Sequence, residues 1–261
     1  VTPEAASPLL EVESLDRYYG SAVGCRRISF RLWPGEILGI VGESGSGKTT
    51  VLRCVSGRMA PTDGRVRYLS RDVGWIDLYN TPLSVKRRVM RTEMGFVHQN
   101  AREGLRMKIS AGGNIGERLL ANGVRHYGRI RRRALEWLER VEIDTRRVDD
   151  TPGTFSGGMQ QRLQIARNLV TQPRLLFMDE PTSGLDVSVQ AKLMDILRRL
   201  VVELALSMVI VTHDLAVARL LAHRLCVMRL GEVVEAGLTD QVLDDPHHPY
   251  TQLLVSSILT P

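Results

Sequence analysis

An unbroken apolar run, Ile37-Leu38-Gly39-Ile40-Val41, leads straight into Gly42-Glu43-Ser44-Gly45-Ser46-Gly47-Lys48-Thr49-Thr50. Few local patterns restrict a fold as tightly. Five apolar residues suit a buried strand, and three glycines in the next six let the backbone take conformations closed to other residues. The residues after Gly47 then read as helix. A strand, a glycine turn and a helix start aim several N–H groups and a helix N-terminus at one point, which suits a polyphosphate. Lys48 is placed to reach β- and γ-phosphates, and the Thr49 hydroxyl to ligate Mg²⁺. The plainer alternative is a glycine turn with an exposed lysine. With only four lysines against thirty-one arginines, a lysine at this position by accident is improbable. Residues 42–50 are therefore expected to cradle a nucleoside triphosphate.

A chain of 261 residues fits one large α/β domain or two small ones, with ample chain for a buried core. The net charge of +6 rests almost wholly on arginine, a bias that says more about residue usage than about acidic partners. Cys25, Cys54 and Cys226 are far apart and form no CxxC pair, which excludes a disulfide framework and suits a reducing compartment. The longest apolar stretch, residues 201–211, is too short to cross a bilayer and carries Glu203. Residues 1–8 lack a basic region followed by an apolar core, so no leader peptide is expected.

Strand-like runs at residues 9–13, 27–32, 65–69, 94–98, 175–178, 208–211 and 225–228 alternate with helical patterns. A helix is expected at 49–58. Residues 112–170 read as helical and arginine-rich, with 127–141 amphipathic. Leu193, Ile196, Leu197, Leu200, Val201 and Leu204 form one core-facing helical stripe. Strands alternating with helices around a phosphate loop imply a mainly parallel, helix-wrapped sheet.

Leu175-Leu176-Phe177-Met178-Asp179 is an apolar strand ending in a carboxylate, the form that holds a Mg²⁺-bound water. Glu180 follows, able to orient or deprotonate an attacking water. Alone, such a pair is an ordinary strand end; beside a phosphate loop it becomes a metal and base candidate. Phe155-Ser156-Gly157-Gly158-Met159-Gln160-Gln161-Arg162 opens a helix with small residues, which serves equally as an anion site or a serine-capped turn.

Taken together, these residues resemble an ABC-type ATPase subunit from about residue 9 to the end. The phosphate loop matches Walker A; Asp179 and Glu180 match Walker B and the catalytic glutamate. Ser156-Gly157-Gly158-Met159-Gln160 matches the ABC signature, Gln99 the Q-loop, Ser183-Gly184-Leu185-Asp186 the D-loop and His213 the switch histidine. The order is the family's order. Tyr19 matches the aromatic that stacks on adenine, with Tyr18 as the alternative. Met159 stands where many members carry Gln, and Gly184 where Ala is commoner. The resemblance implies a P-loop, RecA-like core with an antiparallel β lobe and an α-helical lobe at about 100–170. The ABC domain would span residues 9–235 and a C-terminal docking extension 236–261.

That resemblance also implies a head-to-tail homodimer sandwiching two ATP, each between one subunit's Lys48 loop and the other's Ser156-Gly157-Gly158. Gln99, with Thr49 and Asp179, would attend Mg²⁺; His213 would contact the γ-phosphate. The tail Asp245-Pro246-His247-His248-Pro249-Tyr250-Thr251-Gln252-Leu253-Leu254 resembles the branch serving peptide and nickel importers, and adjacent His247 and His248 make a poor metal site. Residues 102–106, 110–119 and 125–128, together with 244–257, are similar to the ABC subunits associated with bacterial carbon–phosphorus lyase. This implies a cytoplasmic protein docked on soluble lyase core subunits and inserting in no membrane. An importer ATPase and a nucleotide-gated assembly factor are the alternatives. Arg102, Arg106, Lys108 and Arg118 suit an acidic docking surface, although charge alone favours a solvated face. Arg129, Arg131, Arg132 and Arg133 read as an exposed helical face. No aromatic–basic interleaving points to nucleic acid. No long coiled-coil insertion of the DNA-repair type is present.

Overall fold

The computed structural model describes residues 7–257; the leader-peptide expectation falls largely on residues 1–6, and the end of the expected extension on 258–261, outside the described residues. In chain order the elements are β1 (Leu10–Tyr19), β2 (Ala22–Leu32), β3 (Ile37–Val41), α1 (Lys48–Val55), β4 (Asp63–Ser70), β5 (Gly74–Asp77) and α2 (Leu83–Thr92). There follow β6 (Met94–Val97), α3 (Ala101–Gly104), α4 (Ala111–Ala121), α5 (Tyr127–Arg140), α6 (Gly157–Leu169), β7 (Leu175–Asp179) and α7 (Val187–Leu204). The chain closes with β8 (Ser207–Thr212), α8 (Leu215–Leu221), β9 (Arg224–Arg229), β10 (Glu232–Leu238), α9 (Thr239–Asp244) and α10 (Pro249–Ser256). The described residues fall into two compact units, those up to 86 with those from 207 onward, and residues 87–206.

The first unit holds an antiparallel sheet in the order β2-β1-β4-β5. Its register aligns apolar residues in rows: Leu10 lies opposite Leu32 and Tyr68, Val12 opposite Phe30 and Val66, and Tyr68 opposite Ile76. All seven are buried, and such cross-strand rows fix register, because a slip of one residue would turn every row to solvent. The β1–β2 register shifts between Val12 and Leu15, where Ser14 takes φ +45°; this bulge lets both Val12 and Leu15 face the core. In the same unit β3 runs parallel to β8 and β9, with β10 antiparallel on β9. Every residue of β3 and β8 is buried, as expected for parallel strands covered on both faces.

Helix α1 stops three residues short of the expected 58. The Gly57 N–H donates to Cys54 O and the Arg58 N–H to Arg53 O, with Gly57 at φ +75°. This is a Schellman motif, which satisfies the last carbonyls and ends the helix.

The second unit pairs β6 with β7 in parallel. Around them α7 buries Leu193, Met194, Ile196, Leu197 and Leu200, the core of the stripe read from the sequence. Residues 112–170 are less continuous than the pattern implied: two 3-10 turns, Thr145–Asp149 and Pro152–Thr154, separate α5 from α6. Asp144 caps the first by accepting from the Arg146 N–H, and Pro152 starts the second. The basic helical face is only partly free. Arg129 and Arg132 are exposed, whereas Arg131 makes two hydrogen bonds to Asp149 at 2.7 and 2.6 Å and Arg133 pairs with Glu136. After Gln99, Arg106 pairs with Glu117, and Arg118 donates to Met94 O; Arg102 and Lys108 stay exposed.

Candidate functional site

In the first unit, β3 delivers the chain to Gly42 (φ +148°), Gly45 (φ +80°) and Gly47 (φ +99°). Two of these glycines are required by space as well as by angle. A Cβ on Gly42 would lie 2.3 Å from Met228 O, and one on Gly47 2.2 Å from Gly24 O. Gly47 is the N-cap of α1 and supplies no side-chain cap; a helix N-terminus without a capping side chain suits an external acceptor. Lys48 is buried, its Nζ donating to Gly42 O at 2.8 Å and Glu43 O at 2.7 Å. An ammonium held by the carbonyls of its own loop stands at the mouth of the turn, where a phosphate can take over one of its hydrogen bonds. Ser44 and Gly45 are exposed, and Ser46 is buried with its Oγ unpaired.

Tyr19 ends β1 with its ring half exposed, under the Arg17 guanidinium at 5.0 Å. Its hydroxyl donates to Met59 Sδ at 3.1 Å and lies 3.5 Å from Thr50 Oγ1, on α1. Tyr18 is more buried and engages Thr62 through its backbone N–H. Of the two tyrosines, Tyr19 therefore reaches the phosphate-loop helix. His213 is exposed between β8 and α8; the next residue, Asp214, caps α8 by accepting from Ala216 and Val217 N–H groups.

In the second unit, Asp179 ends β7 and is buried. Glu180 follows at φ +41°, a left-handed conformation that costs a non-glycine residue about 1–2 kcal/mol. Such strain is retained where the surroundings hold a side chain in place. Gln99 Nε2 donates to Glu180 Oε2 and to Ser183 Oγ, both at 3.2 Å, so the Q-loop and D-loop candidates meet at the candidate base. A cleft of about 330 Å³ opens here, lined by Gln99, Gly157, Gln160, Ser183 and Gly184 among others. The signature residues begin α6. Ser156 Oγ accepts the Met159 N–H at 3.3 Å, and Ser156 and Gly157 are exposed. Gly158 is packed so closely that a Cβ would meet Val189 Cγ1 at 2.3 Å. Gln160 points inward and spends its amide on Pro152 O and Phe155 O, holding the turn before the helix. Asp186 is the exposed N-cap residue of α7, and its carbonyl accepts the Gln190 N–H.

Sequence reasoning missed what fixes Gln99. A row of buried amides on α6, Gln161, Gln164 and Asn168, replaces the ladder where β6 ends. Gln164 Oε1 accepts the His98 N–H at 2.6 Å and Asn168 Oδ1 the Phe96 N–H at 3.1 Å. Gln161 and Gln164 both donate to His98 O. The i, i+3, i+7 spacing was visible, but polar residues at that spacing ordinarily mark a solvated face.

The ABC transporter family model matches residues 25–183, and a second model, the oligopeptide/dipeptide transporter C-terminal region, matches residues 234–261. The chain is 65% identical to the putative phosphonates utilization ATP-binding protein PhnK of Escherichia coli (strain K12), over 97% of this chain and 98% of that protein. The chain belongs to the ABC ATPase family. This ATPase is also 38% identical to a putative peptide import ATP-binding protein of Brucella abortus (strain 2308), over 97% of this chain and 77% of that one. Among solved structures it resembles the ATP-binding cassette MJ0796, described as a dimer in a post-hydrolysis state bound to ADP and Pi. The TM-score is 0.78 at 29% identity, covering 88% of the ATPase and 98% of that cassette. The nucleotide-binding fold, ATP binding and ATP hydrolysis expected from the sequence accord with these likenesses.

Gly184, the departure from the commoner Ala, sits at φ +72° with open space around it, so the turn into α7 asks for glycine by angle alone. Among the described residues, no helix is long and apolar enough to cross a membrane, and no group of three or more His, Cys, Asp or Glu is placed to hold a metal ion. Cys25, Cys54 and Cys226 are free and buried.

Proposed function

We propose that this ATPase works as the ATP-hydrolysing subunit of a carbon–phosphorus lyase assembly, coupling turnover to phosphonate breakdown on a soluble, cytoplasmic core. The observation that carries this reading is full-length identity of 65% to a protein named for phosphonate utilization. It is joined by the resemblance of residues 102–106, 110–119, 125–128 and 244–257 to lyase-associated subunits. Two copies pair head to tail around two ATP. Lys48 and N–H groups of the 42–50 loop, the Glu43 N–H excepted, hold the phosphates, Tyr19 stacks on adenine, and Ser156, Gly157 and Gly158 of the partner copy close over the γ-phosphate. Gln160 and Met159 shape the signature turn, and Asp186 faces the partner copy.

Magnesium fits this donor set. The chain offers the Thr49 hydroxyl in one unit and the Asp179 carboxylate and Gln99 amide in the other, but no metal site complete in itself among the described residues. A hard cation that keeps waters and takes its remaining ligands from phosphate oxygens matches that sparse set; when bound it neutralises charge on the β- and γ-phosphates. Glu180 orients the attacking water and accepts its proton, and His213 contacts the γ-phosphate. The ABC domain covers residues 9–235 with its helical lobe near 100–170, and residues from 236 onward form the extension.

A second reading, an importer ATPase docked on a membrane permease, draws on the oligopeptide/dipeptide C-terminal match and the 38% likeness to a putative peptide import protein. Deleting the gene in its host separates the two. The lyase reading predicts failure to grow on a phosphonate as sole phosphorus source, together with accumulation of imported, uncleaved phosphonate inside the cell. Wild-type protein restores growth, and Glu180→Gln does not. A phosphonate importer predicts that phosphonate stays outside, and a peptide or nickel importer that growth on phosphonate is unchanged.

A further inference from the structure

The C-terminal segment reaches the phosphate loop through one side chain. Tyr250, near the start of α10, is 4% exposed, and its hydroxyl accepts the Glu43 N–H at 3.1 Å. That N–H belongs to the same peptide unit as Gly42 O, which accepts from Lys48 Nζ at 2.8 Å. In a trans peptide the N–H and C=O point in opposite directions, and no cis bond occurs among the described residues. The Gly42–Glu43 peptide plane is therefore held from both edges, by Lys48 on one and Tyr250 on the other. Its orientation decides where the carbonyl lies, and the carbonyl decides where the lysine ammonium waits.

Tyr250 is itself held firmly. The Arg229 guanidinium lies 5.0 Å over its ring, a favourable cation–π geometry. His248 Nδ1 accepts the Tyr250 N–H at 3.1 Å and so caps α10, with Pro249 at its first position. Ahead of that cap, the Glu235 carboxylate on β10 accepts the His247 N–H at 2.9 Å and the His248 N–H at 3.1 Å. Burial works against the charge of Glu235, but these and neighbouring hydrogen bonds outweigh it and hold its carboxyl below the usual range. The result is a tether from β10, through the cap of α10, to the back of the loop.

We propose that Tyr250 is a positioning residue of the nucleotide site: its hydroxyl sets the Gly42–Glu43 peptide that holds Lys48, so the C-terminal segment tunes nucleotide affinity. This rests on the reading of residues 42–50 as the nucleotide cradle. Tyr250→Phe keeps the ring, its packing and its face toward Arg229, and removes only the acceptor.

The test measures binding of a fluorescent methylanthraniloyl-ATP with Mg²⁺, and ATPase kinetics, on the full chain. Wild type, Tyr250→Phe, Glu235→Ala and Lys48→Ala are compared. Loss of one neutral hydrogen bond predicts roughly three- to tenfold weaker binding for Tyr250→Phe. KM should rise in step while kcat stays within about twofold, because a peptide that positions Lys48 acts on binding. A merely structural role would instead lower the active fraction, reducing kcat at unchanged KM, and that result overturns the proposal. Glu235→Ala leaves the buried ring alone and should weaken binding in the same direction; wild-type affinity there overturns the tether. Lys48→Ala separates the two failures. If it abolishes binding while Tyr250→Phe binds as wild type, the Tyr250 proposal alone is wrong. If Lys48→Ala also binds normally, the reading of the loop is wrong as well.

Discussion

Replacing Gln164 with Met tests whether the buried amide row on α6 holds the chain leading into Gln99. Gln164 is fully buried, and Met nearly matches its volume and flexibility, so little cavity forms. What disappears is hydrogen bonding. The bond from the His98 N–H to Gln164 Oε1 at 2.6 Å is lost, and His98 O loses the Gln164 amide while Gln161 still donates to it. Gln161 Oε1 also loses the Gln164 amide at 3.2 Å. Removing the acceptor from this part-buried N–H costs about 1–2 kcal/mol, and the weakened neighbour adds a fraction of that. The expected destabilisation is thus about 1–3 kcal/mol. Trp137 is buried in the same compact unit, while Trp33 and Trp75 in the other are more than a third exposed. Urea unfolding followed by fluorescence reports the Trp137 environment most strongly. With a slope of roughly 3 kcal/mol/M for a chain this size, the midpoint should fall by somewhat under 1 M. ATP turnover should fall too, because Gln99 follows His98 directly and reaches Glu180. A midpoint within 0.1 M of wild type, about 0.3 kcal/mol or less, would refute the claim that these amides carry the β6 terminus.

Glu180→Gln removes the base but keeps the hydrogen-bonding shape, so it should bind ATP, hydrolyse it at least about a hundredfold more slowly, and elute as an ATP-dependent dimer in size-exclusion chromatography; a monomer with ATP present contradicts the sandwich. Gly184→Ala meets no atom but must adopt φ +72°, so a loss of about 1–2 kcal/mol with no packing change is expected in thermal unfolding. Gly42→Ala would place a Cβ 2.3 Å from Met228 O and should abolish nucleotide binding measured by equilibrium dialysis. Burial pushes the Cys226 thiol up to about 11 from the ordinary 9.0. Its neutral form is favoured in the fold, so its contribution is complete below about pH 9 and lost as pH rises toward 11. That loss is about 2 kcal/mol in urea titrations, and Cys226→Ser should flatten the profile.

The phosphate loop was legible because its demands are on backbone geometry, and glycine spacing writes those demands into the sequence. β3, β7 and β8 were legible for a related reason: buried parallel strands need unbroken apolar runs. Segments whose fold depends on distant partners were not. Helix α2 is amphipathic but buries only Val89, among basic residues. The outer half of β1, through Arg17 to Tyr19, and most of β10 are half exposed and pair through backbone rather than apolar side chains. The break between α5 and α6 comes from capping at Asp144 and a proline start at Pro152, local chemistry overlaid on a helical composition. At the candidate site, sequence named Gln99, Glu180 and Gly184 but not what fixes them. The amide row and Tyr250 act through contacts 66 and 207 residues away in the chain. No local pattern encodes such a distance.

The most direct test of the lyase assignment is recovery of tagged Glu180→Gln protein from its host grown on a phosphonate, with ATP and Mg²⁺ present, followed by mass spectrometry of co-purified chains. The account predicts soluble lyase core subunits in stable proportion to the ATPase. Recovery of an integral membrane permease in their place would contradict it and make this chain the motor of an importer.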